Sequence, residues 1–513
     1  MTDAREAELL AEIKALNERL ARMEALEKEN ALLRQKIDLL VRRLFGAQSE
    51  KLDPAQLLLL LQGFDDGPKV PEPVVAEEPR RSTDPSSPPR ERRPRLPEHL
   101  PVVEEVLDPA PVQACPQAWR CIGEEVSEQL DYEPARFLCR RLIRRKYVRR
   151  GEVDAVPVIA PLPESLQERC LAAPGLLAQI LTAKYCDHLP LYRQEQIYRT
   201  RHGVELPRQS LARWVGLAAD WLRPIYETMR TGVLAGGYVQ VDETPIRYLE
   251  PGHGKARQGY LWAYSRPGGD VLFDWQTSRA AACLDNVIDA DFTGTLQCDG
   301  YSAYPAFAER RAGKVTLAGC WAHARRKFHE AIEQAPRTAG WIIRQIAHLY
   351  GVEKDLRGKR AGPRLRDAVR AHRSRPIIAR LHRALIALKL SHRHLPQSLL
   401  GTAIDYTLSQ WPALGLYLED GRIEIDNNLV ENAIRPTAIG KKNWLFIGEA
   451  GAGQRGAILY TLIESCRRRG IDPHAYLRDV LTRLPAMTNW QIKDITPEAW
   501  AKAQRRPPLQ AAS

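Results

Sequence analysis

At 513 residues, with 44% hydrophobic and 27% charged residues, the chain has the composition of a soluble globular protein and the length of three or more folded units. No run of eighteen apolar residues is present, which excludes an ordinary membrane-spanning helix, and the charged N-terminus is no signal-peptide core, so a cytoplasmic protein is expected. A net charge of +12 points to a polyanionic partner, and nine cysteines without a regular framework read as reduced thiols.

Residues 4 to 45 read as a long helix, with a seam of Ile13, Leu16, Leu20, Met23, Leu26, Leu33, Ile37, Leu40 and Leu44 at 3-4 spacing. That seam predicts a two-stranded coiled coil and hence a homodimer or larger assembly, with Asn30 on the seam favouring a specific pairing; an amphipathic helix packed on the body of the same chain fits the pattern too. From 66 to 101, prolines alternate with Arg80, Arg81, Arg90, Arg92, Arg93 and Arg95, a composition that buries little and makes a basic tether. Residues 102–165 form a small mixed unit with strands around 127–132 and 142–147. Residues 166–232 turn helical, and 233–450 contain alternating strand and helix with a helical stretch at about 330–415. A helical region, 451–513, closes the chain.

Two helical patterns, 191–201 and 207–222, flank His202-Gly-Val-Glu-Leu206. Gly203 suits a helix end and Pro207 a helix start, the outline of a helix-turn-helix. Arg208, Gln209 and Arg213 would then face DNA; an ordinary helical hairpin with solvated arginines fits the same pattern.

The segment Tyr238-Val-Gln-Val-Asp242 reads as a strand carrying a carboxylate in a core-forming run, which costs free energy unless something such as a cation pairs with it. A second strand runs into Asp299-Gly300; that dipeptide is commonly a turn, but strand carboxyl ends in α/β sheets also gather ligands and metals. Asp426 and Asn427 predict a helix start, with a helix over 428–435 stopped near Pro436 and Glu431 on the face of Arg435. Two aspartates and a glutamate so placed can hold two Mg²⁺ ions, or Mn²⁺, for phosphoryl transfer. Glu243, Glu424, Asp426 and Glu449 compete for such a role.

His323, Arg325, Arg326 and Lys327 read either as a phosphate clamp or as a helix start with exposed cations. Lys441, Lys442 and Trp444 suit backbone neutralisation and base stacking, though Trp444 also fits a core. Gly448, Gly451 and Gly453 lack the lysine and hydroxyl of a nucleotide-triphosphate loop, and no serine-hydrolase elbow occurs.

Eight blocks in order carry a family resemblance. They are Leu44-Phe-Gly-Ala-Gln-Ser-Glu-Lys51, Ile122-Gly-Glu-Glu-Val-Ser-Glu128, Asp187-His-Leu-Pro-Leu-Tyr-Arg-Gln-Glu-Gln-Ile197, Asp242-Glu-Thr-Pro245, Cys298-Asp-Gly-Tyr301, Cys320-Trp-Ala-His-Ala-Arg-Arg-Lys-Phe328, Asp426-Asn-Asn-Leu-Val-Glu431 with Arg435-Pro436, and Gly440-Lys-Lys-Asn-Trp-Leu-Phe446. In these the chain resembles the insertion-sequence-66 family of transposases over almost its whole length. The resemblance implies an RNase H-like catalytic fold with a helical insertion, and it singles out Glu431 to join Asp242 and Asp299 in a DDE site. It counts Arg435 among the DNA-facing residues. It also implies binding of terminal inverted repeats in double-stranded DNA, cleavage exposing 3′-hydroxyls, their transfer into target DNA, and small companion proteins. The expected setting is the bacterial cytoplasm, on the nucleoid when bound. Against the family's paired Cys-x-x-Cys motifs, this chain has only Cys115 and Cys121 near one another, with Cys139 and Cys170 unsuitably spaced, so zinc is not expected. A DNA-binding protein without catalysis and a nuclease acting on RNA–DNA hybrids are the alternatives.

Overall fold

The computed structural model describes residues 100–133, 136–149, 156–250 and 252–505. The coiled coil expected over 4–45 and nearly all of the basic tether lie outside these. The fold is mixed α/β. Its described residues divide into one unit of 100–323, 353–372 and 410–505 and a second of 324–352 and 373–409. Among the described residues no helix is long and apolar enough to cross a membrane.

The first unit begins with a four-stranded sheet of β1 (Val102–Leu107), β2 (Trp119–Glu133), β3 (Arg136–Arg149) and β4 (Val158–Ile159), with β3 central. Cross-strand pairs such as Arg141 with Glu104 and Glu128 line its exposed face. Cys115 and Cys121 are exposed here, whereas Cys139 is buried.

Three helices follow: α1 (Pro174–Tyr185), α2 (Leu191–His202) and α3 (Arg208–Val233). Gly203, at φ +64°, ends α2 in the left-handed conformation that glycine adopts without penalty. Buried Val204 and Leu206 anchor the turn, and Pro207 caps α3. The apolar stripe of α3, from Leu211 through Leu222 to Val233, faces the core.

The larger sheet holds β5 (Tyr238–Tyr248), β6 (Arg257–Ser265), β7 (Val271–Gln276), β8 (Gly294–Gln297) and β9 (Val315–Ala318) in the order β7-β6-β5-β8-β9. The strands β5, β6 and β7 form an antiparallel meander, and β8 and β9 add in parallel on the other side of β5. Helix α4 (Ala303–Arg310) connects β8 to β9, and α5 (Trp321–Glu330) leaves β9. Between 330 and 415 every regular element described is helical, including α6 (Pro336–Gly358), α7 (Arg375–Leu390) and α8 (Leu399–Ser409). In the second unit α7 packs on α8, with Lys389 and Asp405 paired at 2.8 Å.

The chain returns to the sheet through α9 (Asn428–Trp444), a short β10 (Phe446–Ile447) beside the far end of β5, α10 (Ala450–Arg468), α11 (Pro473–Arg483) and α12 (Pro497–Gln504). Here the sequence expectation fails: α9 does not stop near Pro436 but runs on to Trp444. Pro436 removes one intrahelical donor, yet it is buried with Val430, Ala433, Ile434 and Gly440 where α9 packs on β5. Burial of that face outweighs the local penalty.

Candidate active site

Strand β5 alternates. Val239 and Val241 are fully buried, while Gln240 and Asp242 take the opposite face. In the parallel pair Gln240 lies opposite Gln297, so Asp242 and Asp299 each stand two residues beyond paired glutamines, at the carboxyl ends of neighbouring strands. Pairing of β5 with β8 ends at Gln240, and its pairing with β10 begins only at Arg247. The Asp242 stretch is therefore open on that side.

A buried amide network ties the third carboxylate's segment to these strands. Tyr238 Oη donates to Gln297 Oε1 at 2.6 Å, and Gln240 Nε2 donates to the same oxygen at 2.9 Å. Gln240 Nε2 also reaches the Asp426 carbonyl (2.9 Å), and Gln297 Nε2 the Glu424 carbonyl (2.7 Å) and that of Gly319 (3.1 Å). Asn427 is the N-cap of α9 without a side-chain cap bond, and Asp426 before it accepts from Asn428 N at 3.2 Å and from Asn428 Nδ2 at 2.8 Å. Glu431 follows in the first turn of α9.

Burial pushes the Asp242 carboxyl well above its ordinary value, and the charges of Glu243, Glu431 and Asp299 add to the rise. Asp242 and Asp299 are also fixed by backbone donors, from Glu243 N and Tyr301 N, each at 2.9 Å. Glu431 Oε1 lies 3.6 Å from His323 Nδ1, and ligand atoms of Cys320, His323 and Glu431 fall within 4.8 Å of one another. Burial pushes the Cys320 thiol up to about 12, so it serves as a neutral wall to this group.

The four competing acids are engaged elsewhere. Glu243, its side chain 1% exposed, accepts from Arg279 Nε (2.6 Å) and from the Tyr304 hydroxyl. Burial pushes the Glu424 carboxyl up, but Arg366 and Arg357, each at 2.9 Å, more than reverse this. Asp426 is held by Asn428 as just described, and Glu449 pairs with Arg455.

Other expected site residues scatter. Arg208, Gln209 and Arg213 are exposed on the first turns of α3. Arg325 and Arg326 are exposed on α5, whereas the Lys327 ammonium lies 4.6 Å from the Tyr406 ring centre. Arg435 and Lys442 are exposed on α9. Lys441 spends its ammonium on Thr244 Oγ1 and the Pro245 carbonyl, both at 3.0 Å, bridging α9 to the open side of β5. Half-buried Trp444 lines a cleft. The sequence reading missed Arg279, whose guanidinium stacks 3.6 Å from the Tyr301 ring centre, and the Gln240–Gln297 pair. A buried acid beside Asp242 was the available signal for the arginine, since such a charge requires a partner.

A mixed sheet with acids gathered at neighbouring strand ends and helices packed around it defines an α/β protein with a carboxylate-rich candidate centre. Residues 169–455 match the family described as Transposase IS66 family, and 461–497 match the IS66 C-terminal element. Residues 32–104 match Transposase C of IS166 homeodomain, over the stretch read from sequence as zipper and basic tether. Among similar proteins of Sinorhizobium fredii (strain NBRC 101917 / NGR234), uncharacterized protein y4qI is 36% identical over 514 residues, covering 95% of this chain and 90% of the relative. Uncharacterized protein y4jD is 34% identical over 492 residues, covering 92% and 95%. The chain belongs to the IS66 family of transposases.

Proposed function

We propose that this transposase cuts and joins DNA at a DDE centre in which Asp242, Asp299 and Glu431 hold two Mg²⁺ ions within an RNase H-like core. The observation that carries this reading is the in-register placement of the two aspartates with Glu431 near enough to raise the Asp242 carboxyl. The donor set fits hard divalent cations: three carboxylates repel one another in a partly desolvated site, a strain that such a cation relieves. When bound, the pair would activate the attacking oxygen and stabilise the leaving one during in-line displacement at phosphorus. Water would be the first nucleophile and the freed 3′-hydroxyl the second.

The chain's own residues supply orientation. The Gln240–Gln297 amides fix the segment that delivers Glu431, and His323 steers one of its oxygens. Arg279, held by Glu243 and by the Tyr301 ring, lies close enough to Asp299 for their charges to interact and can face a phosphate oxygen. The exposed Arg208, Gln209 and Arg213 of α3 suit contact with the terminal inverted repeats. Pairing through residues 4 to 45 would bring two ends together.

The test is Mg²⁺-dependent cleavage and strand transfer on duplexes bearing the element's own ends, wild type beside Asp242→Asn. Loss of cleavage by at least a thousandfold with DNA binding within threefold is expected. Cleavage preserved in Asp242→Asn would overturn the assignment, and cutting of RNA–DNA hybrids alone would replace transposition with a nuclease role.

A further inference from the structure

A cleft of about 430 Å³ opens among α1, α3, α9, β10 and α10. Tyr185, Trp444, Phe446 and Tyr460 line it among aliphatic side chains, and Gly448 and Gly456 leave room beside them. Phe446 is 44% exposed at its mouth, a large apolar ring that the fold leaves uncovered. Into this space the last turn of α1 sends Lys184. Its ammonium lies 5.6 Å from the Tyr185 ring centre and 5.9 Å from that of Trp444. Among the described residues no carboxylate or hydrogen-bond acceptor reaches it; the nearby acid Glu449 is spent on Arg455. A desolvated cation without an anion is costly, and ring faces offset only part of that cost. An acceptor oxygen brought to the ammonium would offset the remainder.

We propose that the cleft receives one nucleotide unstacked from the DNA, its base against Trp444 and Phe446 and a phosphate or base carbonyl oxygen on Lys184. Flat aromatic walls suit a base of any sequence, and Lys184, the lining cation not held by a carboxylate among the described residues, suits the oxygen-rich part of the same nucleotide. The cleft is of a size ordinary for small-ligand sites. Leu445, beside Trp444, holds a left-handed φ of +62°, a conformation that a non-glycine residue keeps only where its surroundings impose it. The proposal rests on the transposase reading for its ligand, but not on the assignment of the catalytic carboxylates.

The experiment uses the full chain without Mg²⁺, so that no strand is cut. Forked duplexes built from the element's ends carry 5-iododeoxyuridine at successive unpaired and terminal positions. After irradiation, attachment sites are mapped by peptide mass spectrometry. A cross-link to Trp444, Phe446 or Tyr185 from one position is expected, with the yield falling at least fivefold in Lys184→Met at saturating DNA. Gel-shift affinity for the fork should fall, while affinity for a fully paired duplex, which offers the cleft no unstacked nucleotide, should change less than threefold. Lys184→Met removes a buried charge without changing side-chain length much, so its fold is preserved, and circular dichroism checks this. Cross-links confined to residues outside the cleft, a yield indifferent to Lys184→Met, or no DNA binding by the wild type would each overturn the proposal. Cross-linking by a protein that fails to cleave with Mg²⁺ restored would sink the catalytic assignment and leave the cleft standing.

Discussion

Asp242 and Glu243 are neighbours in one strand, yet their environments separate them. Glu243 points to the side where Arg279 and Tyr304 absorb its charge, while the Asp242 carboxylate meets other acids. Alternation along β5 is what sends two adjacent acids to different fates. Lys184 shows the same logic for a cation. Burial lowers its ammonium from 10.5 to about 8; below pH 8 both states carry the charge, but only the folded one holds it away from water. The penalty, on the order of 3 kcal/mol, is full below the folded value and vanishes above 10.5, where both states are neutral. Lys184→Met is therefore expected to raise the melting temperature at pH 7, with its advantage shrinking as the pH rises from 8 to 10.5. Paired melting curves across that range check this, and an advantage that grew with pH would refute the buried charge.

Helix α10 and strand β7 illustrate how an element manages an exposed edge. As the outermost strand of its sheet, β7 would present unpaired backbone groups. Instead Val271 N, Phe273 N and Trp275 N donate to Ser465 Oγ, Thr461 Oγ1 and Gln454 Oε1, three polar positions on α10, and the Phe273 carbonyl accepts from Tyr226 on α3. Thr461→Val keeps the shape but strands the buried Phe273 N–H, which should cost about 1–3 kcal/mol. Thr461→Ser should recover most of that in denaturant titration; equal loss in both variants would mean that packing, not the hydrogen bond, matters there. None of these pairings was legible in the sequence, because each joins residues some fifty to two hundred positions apart. What was legible was local: the apolar run ending in Asp242, the strand before Asp299, and the glycine that ends α2. The end of α9 was misread for the same reason, since only the distant strand β5 explains why the helix passes through Pro436.

At the scale of the whole molecule, the candidate centre is assembled from segments far apart in the chain and is held by two buried polar hubs. One is ionic: Arg370, fully buried, grips Glu353 with two bonds of 2.8 Å and the Tyr417 carbonyl at 2.6 Å, while Arg366 links Glu353 to Glu424. The other is the Gln240–Gln297 amide pair, which takes hold of the same returning segment at Glu424 and Asp426. Spacing alone could not rank Glu431 against Glu424 or Asp426, because Arg357 and Arg366 take the Glu424 carboxylate and Asn428 takes that of Asp426. Gln297→Leu preserves volume but releases the Glu424 and Gly319 carbonyls and the Tyr238 hydroxyl together. Each buried polar group left unmet costs roughly 1–3 kcal/mol, part of which relaxation recovers. If the amide pair sets the position of Glu431, the variant, measured below its melting transition, should need about tenfold more Mg²⁺ for half-maximal cleavage while binding DNA as the wild type does. An unchanged Mg²⁺ midpoint in a destabilised variant would make the pair a scaffold for the fold and leave the placement of Glu431 to α9 itself.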